Sequence, residues 1–323
     1  MSINTAIKVS GLTKYYKEFL AVDHINFEVK KGEIFGFLGP NGAGKTTTIR
    51  MLTGLSRPSM GKAFVFGFDI NSEIVEAKRH IGIVPEFSNL YDELSAFDNL
   101  LFMMQLYGVP HSQRKKRAEE LLRIFGLYER KNNSFRNFSR GMKRALTIAA
   151  ALTHEPKILF LDEPTVGLDV VAARSLRNLI INLRQQGITI FLTTHYLDEA
   201  DLLCDRVAIL VKGQIIEIGS PSDLKAVVEE ESVVEFSFEK DISYLMNDLL
   251  KYFTGVLKVS SKGNKVKISG GFSTDIYDKM IRFAKEKGIE IHSINSIKPS
   301  LEDAFLKITG LSPTVMAIEK GGK

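Results

Sequence analysis

The segment Gly39-Pro40-Asn41-Gly42-Ala43-Gly44-Lys45-Thr46-Thr47 gathers glycines, a lysine and hydroxyls in the spacing of a loop that cradles phosphate. Gly39, Gly42 and Gly44 are expected to take left-handed turns that bring backbone N–H groups against phosphate oxygens. Lys45 adds a full positive charge for β- and γ-phosphates, and the Thr46 hydroxyl is placed to ligate Mg²⁺. Far downstream, Asp162-Glu163 sets two carboxylates side by side. Asp162 suits an Mg²⁺ held through water, and Glu163 suits a general base that polarises an attacking water. His195, after Thr193-Thr194, is a third group able to contact a γ-phosphate.

These groups work together only if the fold brings them to one place. IFGFL (34–38) reads as an apolar strand that enters the Gly-rich turn, and the helix starting near Lys45 aims its positive dipole end at the phosphates. ILFL (158–161) runs into Asp162, and ITIFL (188–192) runs into Thr193 to His195. Ligands of open parallel sheets sit at the carboxyl ends of strands, so three strands ending in chemistry predict one shared crevice.

The alternation of helices and apolar strands predicts an α/β fold with a parallel-sheet core behind a β-rich stretch over residues 1–30. A helical insert is expected at about 90–150. Within it, Ser95 is the N-cap and Asp98 the capping-box partner of a helix to Tyr107, followed by RKKRAEELLRIFG and GMKRALTIAAAL. After GSPSDLK the order becomes β-α-β-β-α-β, with a hairpin at Lys262-Gly263-Asn264, which predicts a small ferredoxin-like α+β domain. The expected organisation is 1–225, then 226–310, then a tail over 311–323.

The 323 residues are 44% hydrophobic and 25% charged, which excludes a globally disordered chain and allows two cores. A single cysteine, Cys204, excludes a disulfide framework or a Cys-rich zinc site and reads as a buried helix residue. The N-terminus lacks an apolar secretory segment, and no apolar run approaches the roughly 18–20 residues of a membrane span. The net charge is +5, but His111 to Arg144 holds eleven Lys/Arg against three Glu. Nucleic acid, an anionic membrane surface or a solvated helix face are the three readings of that block.

The order of P-loop, helical insert, Ser139-Arg140-Gly141-Met142, Asp162-Glu163, Asp169 and His195 resembles the ATP-binding cassette (ABC) family over residues 5–225. FSRGM stands where that family has its signature, 23 residues before Asp162. PSLEDAFLKITG (299–310) is similar to the end of the small extension on nucleotide-binding subunits of ABC-2-type exporters. The resemblance implies a P-loop ATPase that binds ATP and Mg²⁺. Lys45 and Asp162 then belong to Walker A and Walker B, and Glu163 and His195 are catalytic. It implies that Tyr16 stacks on adenine, although Tyr15 leaves that assignment open by one position. It implies that Ser139 and Gly141 contact the γ-phosphate of ATP on an opposing subunit. Two cassettes then sandwich two ATPs head to tail, with Asp169 crossing their interface or capping the following helix.

Three residues depart from the family pattern. Glu86 replaces the usual Gln and keeps an oxygen for Mg²⁺, Arg140 replaces the first signature Gly, and Val166 replaces Ser. The implied function is an ATPase that powers a separate integral membrane permease, paired with itself or a second ABC subunit. Its implied place is cytoplasmic, on the inner face of the cell membrane. The alternatives are an ABC ATPase acting on nucleic acid or ribosomes, disfavoured by the absence of heptads or a second cassette, and a regulatory ATP-binding module, disfavoured by Glu163 and His195. Phe97, Leu100, Leu101, Met103, Met104 and Leu106 supply more apolar surface than one buried face needs. With Phe87 and Tyr91, part of this set is expected to dock a short helix of the membrane partner.

Overall fold

Alternating apolar and polar residues build β1 (Thr5–Tyr16) and β2 (Phe19–Lys30), an antiparallel hairpin closed by Lys17-Glu18. Lys17 takes φ 54°, as tight hairpin turns that follow strand twist require. This computed structural model describes residues 4–228, 233–253, 258–269, 273–297 and 299–311. It divides into two units, residues 222–310 and the remainder.

In the larger unit the apolar run after the hairpin forms β3 (Ile34–Leu38), buried at every residue, and the P-loop leads into α1 (Lys45–Leu52). Then come β4 (Met60–Val65), β5 (Phe68–Asp69), α2 (Ile74–Lys78) and β6 (Ile81–Val84). The helical insert is α3 (Ala96–Leu106), α4 (His111–Ile124) and α5 (Arg140–Ala151). The chain returns through β7 (Ile158–Asp162), α6 (Val170–Gln185), β8 (Thr189–Thr194), α7 (Leu197–Leu203), β9 (Arg206–Val211) and β10 (Gln214–Gly219).

Two sheets result. One is antiparallel, ordered β2-β1-β4-β5; the other is ordered β10-β9-β3-β8-β7-β6 and is parallel except for β10. Phe27 joins them. Its ring lies 5.6 Å from Phe35 and 5.0 Å from Phe37, and Phe191 packs 4.9 Å from Phe37. The fully buried strands β3, β7 and β8 need apolar side chains on both faces, which is why they read as continuous apolar runs.

In the smaller unit, α8 (Pro221–Ala226) precedes β11 (Val233–Phe238), α9 (Met246–Tyr252), β12 (Lys258–Lys262), β13 (Lys265–Ser269), α10 (Ser273–Lys287), β14 (Ile291–Ile297) and α11 (Leu301–Thr309). Its sheet is antiparallel, ordered β12-β13-β11-β14, so the parallel pair β11 and β12 flanks β13 as in a split β-α-β unit. Val234, Phe236 and Phe238 pack with Leu249, Met280 and Phe283 into a separate core.

Two local expectations change. Ser95 caps α3 by accepting from the Asp98 N–H and donates its hydroxyl to the Asp98 carboxylate, but the return bond from the Ser95 N–H that would close the box is not formed. A closed box stands instead at Ser300 and Asp303, at the start of α11. Cys204 is buried but lies just past α7 in extended conformation, its Sγ against Gly36, where a Cβ would come within 2.5 Å. The expected tail lies outside the described residues beyond Leu311. Among the described residues no helix is long and apolar enough to cross a membrane.

Candidate active site

The strand register brings the chemistry together. Leu38 pairs with Thr194 and Asp162 pairs with Thr193, so β3, β8 and β7 end side by side. The P-loop, the segment to His195 and the Asp162-Glu163 pair therefore open from one edge. A cleft of about 240 Å³ lies there, walled by Gly42 to Thr47, Asn41, Glu86, Glu163 and His195.

Gly42 and Gly44 take φ 77° and 104°, as expected of the loop. Gly39 does not adopt the left-handed turn expected of it. Its side-chain-free face is needed for another reason, because a Cβ there would sit 2.2 Å from the Leu210 carbonyl oxygen. Lys45, 6% exposed, folds back over the loop and donates to the carbonyls of Gly39 (2.6 Å) and Pro40 (3.1 Å).

Glu163 is the centre of the cleft. Its Oε1 lies 3.2 Å from Lys45 Nζ and its Oε2 lies 2.9 Å from His195 Nδ1. Burial pushes this carboxyl up, but the His195 hydrogen bond and the Lys45 charge outweigh burial and leave it below its ordinary value. Glu163 also holds φ 46°, a left-handed conformation costly for a residue with a Cβ. Its N–H donates to the carbonyl and hydroxyl of Thr193, which keeps it there.

Asp162 accepts from the hydroxyls of Thr46 (3.1 Å) and Thr193 (2.6 Å). Thr46 and Asp162 thus offer adjacent oxygens of the kind that hard divalent cations take, and Glu86 lines the same cleft. Among the described residues there is no cluster of three His, Cys, Asp or Glu able to hold a metal unaided. A cation here fits only with oxygens from a ligand such as a phosphate.

At the mouth of the cleft, the lining ring from β1 is Tyr16 rather than Tyr15, and Phe19 joins it from β2. Ser139 and Gly141 do not reach this cleft. They line a second groove of about 630 Å³ with Asp169, Leu168 and Ala172. Ser139 caps α5 by accepting from the Met142 N–H, and Asp169 caps α6 by accepting from the Ala172 N–H at 2.8 Å. Arg140 does not point freely to solvent. Its guanidinium donates to the Gly167 carbonyl at 3.4 Å, tying the signature turn to the segment before Asp169.

Sequence reasoning missed four residues. Phe19 and Thr193 were hidden inside strands. Arg144, counted within the basic block, is 7% exposed and donates to the carbonyls of Asp162, Pro164, Pro85 and Glu86. Burial pulls its pKa down to about 10, against the opposing pull of Asp162 and other nearby carboxylates. A cation in the otherwise apolar run RALTIAAAL was the available signal. Glu199 is 4% exposed, with the hydroxyls of Thr194 and Thr165 beside it and neither carboxyl oxygen in hydrogen-bond geometry. Burial, aided by the Glu163 charge, raises it above the ordinary value.

The basic block is largely occupied within the chain. Arg114 donates to the Val109 carbonyl, Arg117 to that of Leu152, Arg136 pairs with Glu93 and Lys143 with Asp92.

A family model described as "ABC transporter" matches residues 22–166. The linearmycin resistance ATP-binding protein LnrL of Bacillus subtilis is 36% identical over 305 residues, 94% of this chain and 98% of the relative. The bacitracin transport ATP-binding protein BcrA of Bacillus licheniformis is 37% identical over 315 residues, 95% and 98% of the two chains. The dimeric, post-hydrolysis structure of the ATP-binding cassette MJ0796 bound to ADP and Pi superposes with a TM-score of 0.61. It is 27% identical and covers 66% of this chain and 98% of its own.

Proposed function

The chain belongs to the ATP-binding cassette transporter family, and from that premise we propose how its cleft and surfaces carry out ATP-driven export. It is an ATP-binding, ATP-hydrolysing subunit of the exporter group. The observation that carries the residue assignment is the position of Glu163 between Lys45 and His195.

A triphosphate entering the cleft meets the P-loop N–H groups and the N-terminus of α1. Its negative charge draws the Lys45 ammonium from Glu163 and the loop carbonyls onto phosphate oxygens. One carboxylate oxygen of Glu163 is thereby freed to accept a proton from water, while His195 keeps the other in place. An ionised carboxylate only accepts, so Nδ1 of His195 carries the proton in that bond and Nε2 is left for the ligand. Thr46 and Asp162, with Glu86, are the residues that would hold Mg²⁺, which when bound neutralises charge on the phosphates. Val166 lines the cleft where the family usually has Ser, so no hydroxyl is supplied from that position.

Ser139 and Gly141 act on the ATP of a second cassette, since their groove is separate from the cleft of their own chain. The permease partner docks on Phe87 (80% exposed), Tyr91 and Leu106, while Leu100 and Met104 of the same apolar set serve the core. The place of action is then the inner face of the cell membrane, held there by the permease. The names of LnrL and BcrA favour an antibiotic-like compound as the exported substrate.

Size-exclusion chromatography of E163Q tests the shared-site reading. ATP should convert the variant from monomer to dimer, and a chain that stays monomeric with saturating ATP would refute it. Acidic substitutions at Phe87 and Leu106 should abolish export by the assembled transporter and spare basal ATPase. Unchanged export would remove this docking surface.

A further inference from the structure

Phe19 is 64% exposed and lines the edge of the polar cleft. Its direct cross-strand partner is Tyr16, 43% exposed, and residues directly opposite each other in an antiparallel pair project to the same side. Phe19 and Ala21 alternate on β2, and both line the phosphate cleft with Tyr16. The two-residue turn Lys17-Glu18 fixes this register. One face of the Tyr16 ring is near the Lys14 ammonium, 5.0 Å from its centroid. Among the described residues, no ring or cation packs on Phe19.

We propose that Phe19 is a second aromatic wall of the nucleotide site and contacts the base of ATP alongside Tyr16. The inference rests on the ATP-site reading above. The hydrogen-bonding and charged side chains of the cleft, Lys45, Thr46, Glu86, Glu163 and His195, gather around the phosphate loop, whereas the hairpin presents Tyr16, Phe19 and Ala21. Such an apolar end recognises a flat heteroaromatic ring by stacking, and the phosphates by the loop. One short turn fixes the backbone register of both rings, so the hairpin itself need not be ordered on binding.

The test is isothermal titration of the full chain with ATP and, separately, with inorganic tripolyphosphate, which carries the same phosphates and no base. Phe19→Ala should weaken ATP binding about tenfold, the scale of one base–aromatic stack. It should leave tripolyphosphate binding and the nucleotide-free melting temperature unchanged, because the ring is exposed. Phe19→Trp should restore ATP affinity. ATP binding equal to wild type in Phe19→Ala, or equal losses for ATP and tripolyphosphate, would overturn the proposal. A wild-type chain that binds neither ligand would overturn the ATP-site reading on which it rests.

Discussion

The ammonium of Lys45 and the carboxylate of Glu163 lie 3.2 Å apart, both almost fully buried, across the cleft between the P-loop and the end of β7. In the proposed mechanism both groups act on one triphosphate, and in this arrangement they neutralise each other. Breaking such a pair inside the protein is costly unless a new partner arrives, and under the proposed function a phosphate is that partner for Lys45. In that mechanism, ligand entry is therefore linked to release of Glu163 through one ion pair.

The lowered pKa of Glu163 makes a stability prediction. A carboxyl whose folded value lies below its unfolded value of 4.5 stabilises the fold above that pH and loses the contribution as pH falls through the folded value. Glu163→Gln lacks this titration. Thermal melts of the two proteins from pH 7 to pH 3 should show the difference between wild type and variant shrinking on acidification, chiefly below about pH 4.5. A difference independent of pH would contradict the assignment.

Glu199 has the opposite sign. Its folded value is raised, so the folded state holds a proton that the unfolded chain releases, and stability falls as pH rises from 4.5 through the folded value. Glu199→Gln keeps the shape without the charge. It should melt higher than wild type at pH 8 and equally near pH 4. A variant less stable than wild type at pH 8 would show that the ionised carboxylate has a stabilising partner.

Arg144 predicts a loss that charge alone does not repair. Its removal takes the guanidinium donors from the backbone carbonyls of Asp162 and Pro164, at roughly 1–3 kcal/mol each. Arg144→Ala should lose about 3 kcal/mol or more in urea unfolding. Arg144→Lys, which cannot reach several carbonyls with a planar fork, should recover only part of it. Full recovery by lysine would mean that charge, not geometry, is what the site uses.

The sequence carried the strands, the P-loop and the three strand-end groups because buried parallel strands are continuous apolar runs and their ends are marked by polar residues. It carried the β-α-β-β-α-β order of the smaller unit for a similar reason, since helix and strand periods differ. Arg144 was not legible as a hub, because its partners are backbone carbonyls from two distant segments and carbonyls leave no trace in residue type. Phe19 was hidden by strand alternation, in which an aromatic reads as core. Gly39 was identified for the right place with the wrong reason, since a close carbonyl and a left-handed turn demand the same residue. The basic block illustrates the same limit: charge is visible in sequence, but its partners at Val109, Leu152, Glu93 and Asp92 are set by packing.

The central claim is that Glu163 accepts the proton of the attacking water. Steady-state phosphate release from Mg-ATP by wild type and Glu163→Gln, at protein concentrations that support the dimer, tests it most directly. The account predicts turnover reduced by about 10²–10⁴-fold, with ATP still bound. Wild-type turnover in Glu163→Gln would contradict it.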